Sequence, residues 1–263
     1  AQGVALNEVS YGAAISACEK GRKWELALGL LGSMRRRCVA PNAHALSAAI
    51  AACGRGRAWA WTVLVLAEMQ RRGPGPNTIA YNAAITACER GSGWQAALRL
   101  FEDLLGAGED ARPDNATCSA VICAHGRGRA WASALATLWE ARRAHGVTPN
   151  MVMYGSAVSA CARDRQWQSA LHVLAHMRAI TCAPGLVVLN SAIHACASGS
   201  AWREAAEILA AAGAGRLRPD VVSYRTLIVE CGHLGLAAQE ARLLGGLAAA
   251  VGAGGWDGTG SSG

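Results

Sequence analysis

Two histidines one helical turn apart, His172 and His176, and the cluster of Cys118, Cys123 and His125 are the residues whose types could hold a metal ion. Val173, Leu174 and Ala175 stand between the two histidines, so the glutamate that a zinc hydrolase uses as general base is missing. Cys118, Cys123 and His125 fit no common ligand spacing. Gly54, Gly56, Gly91 and Gly93 lack the lysine and the serine or threonine of a phosphate-binding loop. The sequence therefore predicts no enzyme, no metal site and no cofactor. What recurs instead is hydrogen-bonding chemistry at fixed places. Ser47, Asn82, Ser119 and Asn190 form one set, and Asn77, Asp114, Asn150 and Asp220, each just after a proline, form another. Short amides, hydroxyls and carboxylates have directional donors and acceptors and little side-chain entropy to lose on binding. The plainer role for the second set is to cap the helix that follows.

The elements that carry these residues repeat. Trp24, Trp59, Trp94, Trp131, Trp167 and Trp202 keep step with Pro41, Pro76, Pro113, Pro149, Pro184 and Pro219, a period centred on 35 residues. Such a period predicts an all-α fold, an alpha-alpha superhelix or solenoid of repeated antiparallel helical hairpins, in which each repeat buries its apolar side against its neighbours. Cutting after the residue that follows each proline gives copies at 8–42, 43–77, 78–114, 115–150, 151–185 and 186–220. A degenerate seventh covers 221–250, and 251–263 reads as a disordered tail. Residues 1–7 read as the end of a preceding copy, because Asn7 occupies the closing slot; the chain is expected to be an excerpt.

Tyr81, Ile85 and Cys88 are spaced four and three apart, one face of a first helix. A glycine-bearing stretch such as Glu89 to Gly93, Gly54 to Arg57 or Gly126 to Arg129 is expected to end it. The second helix starts at the tryptophan, with Trp94, Ala97, Leu98, Phe101 and Leu104 as its apolar stripe. The tryptophan is expected to supply most of the area buried in the hairpin. The proline connector then breaks the chain before the next copy. The two extra residues of the third copy fall in Gly106 to Asp110.

The chain has 263 residues, is 52% hydrophobic, and carries 25 Lys plus Arg against 18 Asp plus Glu, a formal charge of +7 that is nearly all arginine. That balance suits a polyanion without requiring one. Cys18, Cys53, Cys88, Cys161, Cys196 and Cys231 share one repeat slot, filled by His125 in the fourth copy. They read as small buried groups in a reducing compartment rather than as a disulfide framework. No apolar run reaches the roughly 18 residues of a membrane span.

Tyrosine then asparagine early in the first helix, as in Tyr81-Asn82-Ala83-Ala84-Ile85, and a closing proline with Asn or Asp, as in Pro219-Asp220, resemble the pentatricopeptide repeat family from residue 8 to about 245. The resemblance implies single-stranded RNA binding, one base per repeat, along a groove lined by the first helices. It further implies that the fifth and last residues of a copy choose the base. Those slots are Ser47 with Asn77, Asn82 with Asp114, Ser119 with Asn150, and Asn190 with Asp220, reading adenine, uracil, adenine and uracil, with the RNA running 5′ to 3′ from the N- to the C-terminal copy. Gly155 and Gly185 leave the fifth copy without a reading side chain. Gly12 with Asn42 and Arg225 leave the first and seventh bases unassigned. Arg55, Arg57, Arg127 and Arg129, in the turns, are candidate phosphate contacts, although arginines there also suit helix ends and solubility. The resemblance implies a monomer in an organelle, plastid or mitochondrion, acting in RNA processing, stabilisation, editing or translation. The alternative is a helical scaffold that takes a peptide or protein partner in the same groove.

Overall fold

The closing Asn or Asp of one copy starts the next helix. Asn7, Asn42, Asn77, Asp114 and Asn150 lie in extended backbone, and the side chain of each accepts the N–H three residues on, in the manner of an N-cap. The computed structural model of the chain describes residues 7–72, 75–108, 111–180, 182–214, 219–233 and 235–253. Among them are fourteen α-helices in two compact units, Ala1–Pro149 and Asn150–Gly263. The fold is an all-α repeat array of paired antiparallel helices.

The first unit holds α1 (Glu8–Lys20), α2 (Trp24–Arg36), α3 (Ala43–Arg55), α4 (Trp59–Arg72), α5 (Thr78–Arg90), α6 (Trp94–Gly106), α7 (Asn115–Arg127) and α8 (Trp131–His145). Each odd helix pairs with the even one after it. The odd helices α1, α3, α5 and α7 also pack on one another in sequence, while α2, α4 and α6 reach the next odd helix. The second unit repeats the plan with α9 (Met151–Arg163), α10 (Trp167–Ala179), α11 (Leu186–Ser198), α12 (Trp202–Ala214), α13 (Val221–His233) and α14 (Ala237–Ala253). The helix α14 takes in 251–253, three residues that composition assigned to the tail. Val251 and Ala253 tolerate a helix, and Gly252 between them costs only about 1 kcal/mol, too little to stop one already formed. The remainder of that stretch, 254–263, lies outside the described residues, as do 1–6.

Tyr11, Ile15, Tyr81, Ile85 and Cys88 are buried, as the four-three spacing requires. In α6 the deepest row is Ala97, Leu100 and Leu104, so Leu100 joins the stripe while Leu98 and Phe101 pack partly buried at its edge. The first helices run further than their glycines suggested: α3 includes Gly54 and Arg55, and α7 includes Gly126 and Arg127. Gly54 is retained because α3 and α5 approach closely there. A Cβ on Gly54 would lie 3.1 Å from Ala87 Cβ.

What ends a first helix is a Schellman turn. Lys23 N–H reaches back to Cys18 O at 2.9 Å, and Ala58, Gly93, Gln166 and Ala201 do the same to Cys53, Cys88, Cys161 and Cys196. The left-handed residue is not glycine but Arg22, Arg57, Ser92, Arg129, Arg165 or Ser200, with φ from 55° to 67°. Glycine stands one place earlier because the tryptophan of the preceding copy lies over it. A Cβ on Gly56 would fall 2.1 Å from Trp24 Cδ1; Gly91 and Trp59, Gly128 and Trp94, and Gly199 and Trp167 are matched alike. All six repeat tryptophans are only partly buried. Trp24, Trp59, Trp94 and Trp167 join one copy to the next turn instead of supplying most of their own hairpin's core.

Candidate nucleic-acid interface

Residues 79, 82, 83, 86 and 90 of α5 are spaced three and four apart and share one face, distinct from the buried Tyr81, Ile85 and Cys88 face. That face and the end of α3 bound a cleft of about 330 Å³ whose wall includes Gly54, Arg55, Ile79, Asn82, Thr86 and Arg90. The fifth residue of the third copy thus faces a cavity, with an exposed apolar residue on one side and two guanidinium groups towards the far end.

Asn82 and its closing partner Asp114 meet directly. Asn82 Nδ2 donates to Asp114 Oδ2 at 2.9 Å. Asp114 also caps α7, accepting Thr117 N–H on Oδ1 at 2.8 Å, so the two roles of the closing residue are compatible: one oxygen caps and the other meets the fifth residue. In the second unit Asn190 Nδ2 donates to Asp220 at 3.1 Å, and Ser223 N–H donates to Asp220 Oδ1 at 2.9 Å. Burial pushes the Asp220 carboxyl up, but hydrogen bonds from the Ser223 N–H and hydroxyl, the Asn190 amide and the Val222 N–H outweigh it and hold the group below its ordinary 3.8.

The serine slots are chemically different. Asn77 spends Oδ1 on Ala80 N–H at 3.0 Å, which leaves its NH₂ as the group not used by the cap, beside the repeat that carries the partly buried Ser47. Ser119 donates its proton to Asn115 O at 2.6 Å, so the hydroxyl has acceptor capacity left. Asn150, which begins the second unit, caps α9 through Met153 N–H at 3.0 Å.

The arginine candidates divide. Arg55 and Arg127 belong to the last turns of α3 and α7 rather than to the turns that follow. Each is held by the preceding copy, Arg55 Nη2 at 3.0 Å from Glu19 and Arg127 Nε at 2.8 Å from Glu89. Arg57 and Arg129 are the exposed left-handed residues of the Schellman turns. Lys20, Arg90 and Arg163, absent from the sequence argument, hold the same helical place as Arg55 and Arg127.

Two more groups were missed. Val9, Ile79, Val152, Val187 and Val222 are each the second residue of a copy and are exposed, Ile79 to 70%. An apolar residue off the buried period, recurring once per copy, was the available signal. The others are Thr117 and Ser223, buried at 0% and 1%, which touch both members of each Asn-Asp pair. Among the described residues no group of three or more His, Cys, Asp and Glu is placed to hold a metal ion, and no helix is long and apolar enough to cross a membrane.

The hairpins, their in-register polar pairs and the shared face of the first helices define an α-helical repeat protein with one side chain pair per repeat. Residues 138–199 match the family described as pentatricopeptide repeat domain, and residues 9–39 match PPR repeat. The structure is similar to that of the maize pentatricopeptide repeat protein PPR10, with TM-score 0.64 and 16% identity over 94% of this chain and 40% of that one. It is also similar to PPR10 in complex with an 18-nt psaJ RNA element, with TM-score 0.73 and 27% identity over 93% and 36%. A third likeness, with TM-score 0.59 and 15% identity over 69% and 94%, is to the PPR domain of Arabidopsis thaliana protein-only RNase P 1 in complex with tRNA. The chain belongs to the pentatricopeptide repeat family. It spans about two fifths of the length of the PPR10 chains it matches. No curated protein sequence matches it.

Proposed function

We propose that the chain binds single-stranded RNA, one base per repeat, with Ser47 and Asn77, Asn82 and Asp114, Ser119 and Asn150, and Asn190 and Asp220 choosing adenine, uracil, adenine and uracil. The observation that carries this reading is the Asn82-Asp114 pair in the wall of the cleft between α3 and α5, repeated as Asn190-Asp220 in the second unit. The cleft offers what an unpaired nucleotide needs. Ile79 presents an apolar surface for a base face, Asn82 an amide for a base edge, and Arg55 and Arg90 positive charge for the backbone. The exposed valines in the same slot of other copies extend the stacking surface. Similarity to proteins solved with an RNA element and with tRNA supports the same ligand class. The whole protein is assigned to an organelle, plastid or mitochondrion, where such binding serves RNA processing, stabilisation, editing or translation.

Fluorescence polarisation of the chain with RNA reading adenine, uracil, adenine, any base and uracil tests this. Binding tighter than to scrambled RNA or to the matching DNA is expected, with adenine preference at the first of these bases lost when Ser47 and Asn77 are both replaced by alanine. No binding at low salt by protein of helical circular dichroism refutes it in favour of a peptide-binding scaffold.

A further inference from the structure

Thr117 Oγ1 sits at the Asn82-Asp114 pair as a hub. It accepts Asp114 N–H at 3.1 Å and makes its closest polar contact to Asn82 Oδ1. Ser223 does the same in the second unit, accepting Asp220 N–H at 3.3 Å and reaching Asn190 Oδ1. A hydroxyl has one proton to give. The Asn carbonyl takes it, because the carboxylate Oδ1 of Asp114 or Asp220 already accepts the N–H of the same Thr or Ser. On the other side of the amide, Nδ2 donates to the carboxylate. Inverting the amide would set its oxygen against that carboxylate, acceptor to acceptor, so the orientation is fixed. The Asn is left with one acceptor position filled and one Nδ2–H uncommitted.

The other copies show that this hydroxyl is not a general requirement of the turn. In the six copies whose two slots both lie in the chain, a hydroxyl occupies this third place only after Asp114 and Asp220. After Asn42, Asn77, Asn150 and Gly185 the residue is Ala45, Ala80, Met153 or Val188. Asn42, Asn77 and Asn150 cap their helices without it.

We propose that Thr117 and Ser223 are positioning residues that set uracil over cytosine at the third and sixth copies, by occupying the Asn carbonyl so that the amide meets the base as a donor. Uracil offers a carbonyl where cytosine offers an amino group, which needs the acceptor that the hydroxyl has filled. The proposal rests on the RNA reading above.

The test uses the full chain and two RNAs that differ only in uracil or cytosine at the base of the third copy. Replacing Thr117 by valine keeps the shape and the Asp114 cap on the residue 117 N–H but removes the hydroxyl. The uracil-to-cytosine affinity ratio at that base is expected to fall by about fivefold to tenfold, the worth of one hydrogen bond. The ratio at the base of the sixth copy should stay unchanged, and Thr117→Ser should restore the wild-type value. Equal losses for both RNAs with the ratio intact would make the hydroxyl a structural group and overturn the proposal while leaving the RNA reading standing. Failure of the wild-type chain to bind either RNA would overturn both. If circular dichroism shows Thr117→Val unfolded, Ser223→Ala read at the sixth base carries the same two outcomes in the other unit.

Discussion

Adding one methyl group at Gly56 should change sign in its effect on stability according to whether Trp24 is present. A Cβ there would lie 2.1 Å from Trp24 Cδ1, 2.7 Å from Cγ and 3.0 Å from Nε1, and all of the close atoms belong to that one ring. The ring must give way. Trp24 packs against the core of the first unit, and an aromatic side chain of its kind buries about 150–250 Å². Displacing the ring enough to re-expose about 100 Å² costs about 2.5 kcal/mol. The backbone itself raises no objection, since φ −81° and ψ 1° suit any residue. Without the clash, Gly→Ala gains about 0.4–1 kcal/mol by restricting the unfolded chain. Gly56→Ala should therefore destabilise the wild type by about 2 kcal/mol yet stabilise the Trp24→Ala protein by about 0.5 kcal/mol. The four proteins of this cycle can be compared by urea unfolding with far-UV circular dichroism. Hydrogen exchange over α1 to α4 would supply a local readout, because repeat arrays need not unfold in one step. The same cost in both backgrounds would refute the packing of Trp24 over the next turn.

Three other outcomes follow from the same residues. Burial raises the thiols of Cys88 and Cys161 to about 11 from an ordinary 9.0, with Asp164 adding to the effect at Cys161. Their thiolate fraction near pH 8 is then roughly a hundredfold below that of an ordinary thiol, and mass spectrometry after brief iodoacetamide treatment should find the exposed Cys38 modified well before them. His125 Nδ1 is buried without a partner, and burial lowers the imidazole below its ordinary 6.5. The unfolded chain binds the proton more readily, so stability falls as pH drops below 6.5 and levels off once it passes the lowered value. His125→Cys should raise the midpoint of thermal unfolding, by about 1 kcal/mol near neutrality, and flatten that acid slope. Gly155→Asn with Gly185→Asp and Val188→Ser should give the fifth copy a uracil preference it lacks, measured by polarisation on RNAs varied at that base. Val188 Cγ2 lies 3.3 Å from a Cβ on Gly155, and the serine removes that crowding.

Much of the fold was legible because a repeat states its rules several times over. The four-three spacing of Tyr81, Ile85 and Cys88 named the buried face of α5, and tryptophan and proline marked where the helices begin and break. The helix ends were less legible. Glycines at Gly54 and Gly126 read as breakers, but both lie inside helices, because close approach between neighbouring first helices outweighs their propensity cost. The site was visible as chemistry and not as geometry. Asn82 and Asp114 stand 32 positions apart, and spacing alone gives no sign that they share a hydrogen bond.

By itself the sequence determined the hairpin period, the N-caps and the polar character of the paired slots, since each follows from residues within one copy. Only tertiary structure decided what lies between copies. The tryptophan over the next glycine, the arginines held by a glutamate of the preceding copy, and the buried Thr117 and Ser223 hydroxyls all act across that boundary. Their partners are about a repeat apart along the chain, and helix propensity and periodicity describe neighbours within a few residues, so only stacking brings these groups into contact.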